Sequence, residues 1–123
     1  MLSRWDVLRV YRSDLSIPHD KYCICVCPID KLFLYINSEP PLFRKKREVV
    51  VQVARFELTF LRKDSFIDSS TIVDDLPPDS LAEAIADINR SCGSLPPFLV
   101  QRIKAAVASH GALMPIHSNK VLE

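Results

Sequence analysis

Three short runs of this 123-residue chain carry side chains that could do chemistry. His19-Asp20-Lys21 sets an imidazole, a carboxylate and an ammonium side by side, just ahead of a run of strand formers. Histidine is the side-chain type that titrates near neutral pH, so His19 is a candidate proton carrier, although an isolated loop histidine is more often a surface residue. Arg44-Lys45-Lys46-Arg47 follows the apolar pair Leu42-Phe43. Adjacent cations beside an aromatic ring suit a single RNA strand, with Arg44, Lys45, Lys46 and Arg47 on phosphates and Phe43 as a stacking surface. The plainer reading of such a run is a solvated face.

Cys23, Cys25 and Cys27 alternate with Tyr22, Ile24 and Val26, which puts the three thiols on one face of a strand. Same-face neighbours there are about 6.6 Å apart, and Cys23 and Cys27 about 13 Å, so neither a disulfide nor a converging zinc set is expected. They read as small apolar residues filling a core face. Asp64 and Asp68 read as turn residues, and His110 and His117 fall at a helix end and in a tail. No nucleophilic triad, metal-ligand set or catalytic carboxylate pair stands out, and no metal or cofactor is expected. With only 2 Gly, glycine-dependent phosphate loops are excluded.

The elements that must position these groups are strands first and helices second. Residues 5–12, Tyr22–Cys27, Leu32–Ile36, Glu48–Val53 and Phe56–Phe60 are rich in β-branched and aromatic residues. Pro28-Ile29-Asp30-Lys31 supplies a tight turn between the second and third of these, making the most apolar hairpin of the chain. Phe56-Glu57-Leu58-Thr59-Phe60 alternates cleanly, which predicts a half-buried strand with Phe56, Leu58 and Phe60 inward. Phe66-Ile67 and Thr71-Ile72-Val73 are short enough to be edge or closing strands. Two helices follow, each entered through a Pro pair, Pro77-Pro78 and Pro96-Pro97. Leu81, Ile85 and Ile88 form the apolar stripe of the first, and Leu99, Ile103 and Val107 that of the second, with Gly111 at its end.

Charge divides with the elements. Residues 1–63 carry 12 Lys and Arg against 7 Asp and Glu, whereas residues 64–123 carry 4 against 8. A basic β layer therefore meets an acidic helical one. The length suits one domain, 1–115, with 116–123 as a flexible tail. No apolar run is long enough to span a bilayer, and the N-terminal residues lack the apolar core of a signal peptide, so a cytoplasmic protein with reduced cysteines is expected.

The order of these elements resembles the PemK/MazF toxins. The similarity is carried by Asp64-Ser65-Phe66-Ile67-Asp68, then Thr71-Ile72-Val73, the Pro-flanked acidic entry, Leu81-Ala82-Glu83, Leu95-Pro96 and Ile103-Lys104-Ala105-Ala106-Val107. At the front, Trp5-Asp6-Val7 and Ile24-Cys25-Val26-Cys27 resemble the family's first two strands. The resemblance covers residues 5–110 and implies a mainly β fold with C-terminal helices, an SH3-like small β-barrel packed against one or two α-helices. It also implies a metal-independent endoribonuclease of a toxin–antitoxin system, acting on single-stranded RNA, forming a homodimer and held by an antitoxin. In that chemistry the substrate's own 2′-hydroxyl attacks the adjacent phosphate. Carried over by position, the family's Thr or Ser falls on Ser38, with Asn37 beside it on the RNA path, and its Arg falls near Lys21, with His19 two residues upstream.

The chain departs from the family in having Lys for Arg, and in lacking the Gly after the first strand and the Pro before the Thr or Ser. Lysine keeps the charge but lacks the planar fork that grips phosphate twice. His19 is then a candidate acid or base. Two other readings fit the same residues: a non-catalytic barrel module binding nucleic acid or a partner protein, and a structural protein whose charge asymmetry drives association.

Overall fold

The computed structural model describes residues 1–42 and 44–123, the side chains of Lys45 and Lys46 excepted. Strand β1 (Asp6–Arg12) leads to β2 (His19–Cys27) and β3 (Leu32–Asn37). A single helical turn, α1 (Arg44–Arg47), precedes β4 (Val51–Val53), β5 (Ser65–Ile67) and helix α2 (Pro78–Ala86). Then come β6 (Ser91–Ser94), α3 (Pro97–His110) and α4 (Pro115–Leu122). Among the described residues the six strands form one antiparallel sheet in the order β4-β5-β3-β2-β1-β6, mainly β and curled. No helix there is long and apolar enough to cross a membrane.

The sheet is apolar on both faces. On one, Val7, Ile24, Val26, Leu34, Ile36 and Ile67 pack under Leu99, Ile103 and Val107 of α3 and Val121 of α4. On the other, Leu8, Val10, Cys23, Cys25 and Phe33 pack with Leu81 and Ala84 of α2. The continuous apolar runs of β2 and β3 follow from this: a strand covered on both faces has no solvent side to alternate with. Pro at the first turn starts α2 and α3, and Gly111 ends α3 in the left-handed conformation (φ 59°).

Several expectations are corrected. Cys23 and Cys25 share a face, but a bulge between Cys25 and Cys27 turns Cys27 into the opposite core. Residues 56–60 are not a strand. A 3-10 turn at Arg55–Glu57 leaves Phe56 86% exposed, while Leu58 is buried. The Glu57 carboxylate accepts from the Ala54 N–H and pairs with Arg102 of α3, so local polar bonding replaces the alternation. Of the expected stripe Leu81 is buried, but Ile85 and Ile88 face solvent, and the second buried residue of α2 is Ala84. Ser91–Ser94, between the two Pro-entered helices, is an edge strand paired to β1.

Residues 116–123, expected as a flexible tail, belong largely to α4. Val121 is fully buried, and the Arg4 guanidinium donates to the carbonyls of Lys120, Val121 and Glu123 at 2.6–2.7 Å. Those last-turn carbonyls have no partner within the helix, so a cation there stabilises it. Val121→Ala is expected to cost about 2 kcal/mol, from lost apolar burial plus a residual cavity. Urea unfolding checks this; an undocked tail would give no change.

Candidate functional site

The β2–β3 pairing builds the site. Tyr22 lies opposite Ile36, so one step further along the ladder Lys21 lies opposite Asn37. His19, Asp20 and Lys21 are not loop residues, because β2 extends past its apolar run to pair His19 with Arg12 and Lys21 with Val10 of β1. The Lys21 ammonium donates to Asn37 Oδ1 at 2.6 Å and sits 4.7 Å from the centroid of the Tyr35 ring. An ammonium over an aromatic face is attracted to it, so Lys21 is fixed from two directions. Half-burial pushes its pKa down, the nearby Asp68 opposing that shift.

Two cavities meet at Lys21, Asn37 and Ser38. The first, of about 350 Å³, is also lined by His19, Asp20, Arg62 and Lys63, with Tyr22, Ile36 and Leu61 as its apolar wall. Asp20 is neutralised from outside by Arg9 at 3.3 Å and Arg90 at 3.1 Å, and Lys63 is paired with Glu39 at 2.9 Å, which leaves Lys21 and Arg62 as the cations of the cavity. The second, of about 450 Å³, runs from Lys21 past Glu39, Pro40 and Pro41 to Leu42, with Asp68 on its wall. Positive charge focused in a concave surface attracts a phosphate.

His19 is exposed, and its Nδ1 lies 2.6 Å from the Ile17 carbonyl oxygen. A carbonyl only accepts, so Nδ1 carries the proton and Nε2 of the neutral ring is left as an acceptor. Ser38 is exposed at the end of β3, where both cavities open. The structure thus brings His19, Lys21, Asn37 and Ser38 together. Arg44 and Arg47 are exposed on α1 beyond Leu42 and line neither cavity. Phe43 lies outside the described residues, as do the side chains of Lys45 and Lys46.

Sequence reasoning assigned no role to Arg62, Lys63, Tyr35 or Arg12. The Arg62-Lys63 pair before β5 was a visible signal; the other two were not. Arg12 is buried, donating to Asp14, to Asp75 Oδ1 at 3.0 Å and to the Tyr35 hydroxyl at 2.6 Å. These bonds hold the guanidinium protonated, with the Asp14 bond the largest cause. Tyr35 therefore stands between two cations, its hydroxyl on Arg12 and its ring under Lys21. Among the described residues no group of three or more His, Cys, Asp or Glu is placed to hold a metal ion. No protein-family model matches the chain, and no curated protein matches it.

Proposed function

We propose that the protein binds a single RNA strand across this cleft and cleaves it without a metal, as a toxin-like endoribonuclease of PemK/MazF type. The observation that carries the reading is the convergence of His19, Lys21, Asn37 and Ser38 on one cavity with Arg62 and Lys63. The curled antiparallel sheet with helices on its faces is compatible with an SH3-like barrel. A homodimer and a neutralising antitoxin belong to the same reading.

In the reaction, His19 Nε2 takes the proton of the 2′-hydroxyl as its oxygen attacks phosphorus. Lys21 and Arg62 face the charge that develops on the phosphoryl oxygens, and the Ser38 hydroxyl hydrogen-bonds one of them. The bond from phosphorus to the 5′-oxygen then breaks, and that oxygen leaves with a proton from Lys21. A lysine whose pKa is lowered by burial is a better acid than an ordinary one.

A second reading is favoured by one observation. Among the described residues no hydrogen bond joins His19 to Lys21 or Ser38, so the acid and base are not preassembled. The cleft would then bind RNA and not cut it. Incubating a long unstructured RNA with the protein in excess chelator separates the two. Cleavage is expected to leave 2′,3′-cyclic phosphate and 5′-hydroxyl ends. RNA that is bound and stays intact rejects catalysis and leaves the binding module; RNA that is not bound rejects both.

A further inference from the structure

The two cavities share Lys21, Asn37 and Ser38 but differ in charge. The first gathers Arg62 beside Lys21, whereas the second presents the Asp68 carboxylate against walls of Pro40, Pro41 and Leu42, and the Lys63–Glu39 ion pair gives its cation to the first and its carboxylate to the second. A polyanion's backbone has no reason to enter a space faced by carboxylates. A nucleobase has two reasons: apolar walls to lie against, and acceptors for its amino hydrogens. At about 450 Å³ the second cavity has room for one.

Asp68 is the better-defined acceptor. Its Oδ1 receives both the N–H and the hydroxyl of Ser70, and its own N–H donates to the Tyr35 carbonyl at 3.0 Å. With Oδ1 taken by those donors, Oδ2 is the oxygen left to meet a ligand. Glu39 is exposed and already paired with Lys63 at 2.9 Å.

We propose that the second cavity is a nucleobase site selecting bases with an exocyclic amino group (adenine, cytosine or guanine) over uracil, with Asp68 Oδ2 accepting the amino hydrogen. Carboxylates accept from such groups, the cytosine N4 amino group among them. Uracil offers one ring N–H flanked by two carbonyl oxygens, which meet the Asp68 and Glu39 carboxylates with like partial charge. The inference rests on the RNA reading of the adjoining cavity, which would hold the phosphate of the same nucleotide.

The test titrates the protein with the 5′-monophosphates of cytidine and uridine, which differ in the group at C4 and in ring protonation at N3, following amide NMR shifts. The cytidine nucleotide is expected to bind about tenfold tighter, the worth of one hydrogen bond to a charged acceptor. N4,N4-dimethylcytidine monophosphate has no amino hydrogen and is expected to lose that advantage. Asp68→Asn is the sharper variant. Because the Ser70 donors require the amide oxygen at the position of Oδ1, the amide NH₂ takes the position of Oδ2, where it favours the uracil O4 and reverses the preference.

Equal binding of the cytidine and uridine nucleotides overturns the proposal, as does binding of neither. An Asp68→Asn protein that folds and keeps the cytidine preference also overturns it. If that variant does not fold, the dimethyl nucleotide decides: undiminished binding rejects Asp68 Oδ2 as the acceptor. A cytidine preference in a protein that leaves RNA intact supports the base site while rejecting the cleavage reading, so the two failures are distinguishable.

Discussion

Lys21→Ala is expected to lower RNA cleavage by about 100-fold or more, the usual cost of removing one preorganised charge from a reacting phosphoryl or acyl centre. The effect should be large because Lys21 sits at the junction of both cavities and is held by Asn37 Oδ1 and the Tyr35 ring. Lys21→Arg separates its two roles. Arginine keeps the positive charge but does not give up its proton, so RNA binding should persist while cleavage stays low. The pH profile carries a further sign. In the proposed mechanism cleavage requires protonated Lys21, and the protonated fraction falls as pH rises through the folded pKa. Burial lowers that pKa from the ordinary lysine value, so the alkaline decline should begin earlier than an exposed lysine would give. Single-turnover rates from neutral to alkaline pH check this. An alkaline limb at the ordinary lysine position, or an active Lys21→Arg protein, removes Lys21 as the proton donor.

The central hairpin and the main helices are legible in the sequence because their signals are local. Tyr22–Cys27 and Leu32–Ile36 are continuous apolar runs on either side of a turn, and Pro97 and Gly111 mark the two ends of α3. What fails is whatever depends on a distant partner. His19-Asp20-Lys21 is polar and reads as loop, yet pairing with β1 makes it strand. Ser91–Ser94 has no apolar pattern because an edge strand of burial this low needs none. Phe56 sits in an alternating pentapeptide that predicts a strand, but the Glu57 contacts to Ala54 and Arg102 win. Val121 lies too far from the rest of the apolar pattern to look like core, and only the docking of α4 buries it.

The candidate site is half legible for the same reason. Lys21 and Ser38 are chosen only through the family resemblance, carried over by position along the strands, and the hairpin register brings them to one place. The electrostatic surroundings could not be chosen so. Asp68 looks like a turn residue, which in its hydrogen bonds to Ser70 it is, and only the fold sets it on the wall of a cavity beside Lys21. Arg12 appears as one of three charged residues, Asp6, Arg9 and Arg12, at every third position in β1; its partner Asp75 is 63 residues away.

That arginine gives the largest expected effect on stability. The Arg12 side chain is 5% exposed, whereas those of Asp14 and Asp75 are 50% and 70% exposed. The asymmetry decides which substitution is worse. In Arg12→Met the buried charge is removed, both carboxylates turn back to water, and the main loss is the donor to the Tyr35 hydroxyl, about 1 kcal/mol. Removing both carboxylates in Asp14→Ala/Asp75→Ala strands the guanidinium instead, and a buried charge left without its partner is the costlier change. Urea unfolding should therefore rank the double variant well below Arg12→Met, although Arg12→Met deletes the better-buried residue. Acid should act in the same direction. The bond from Arg12 holds the Asp14 carboxyl below the usual aspartate range, so its contribution is present above that range and lost as pH falls through the lowered folded value. The acid limb of unfolding should be shallower in the Asp14→Ala background than in the unsubstituted protein. If Arg12→Met proves the more damaging change, the guanidinium is held chiefly by its packing and the carboxylates are spectators.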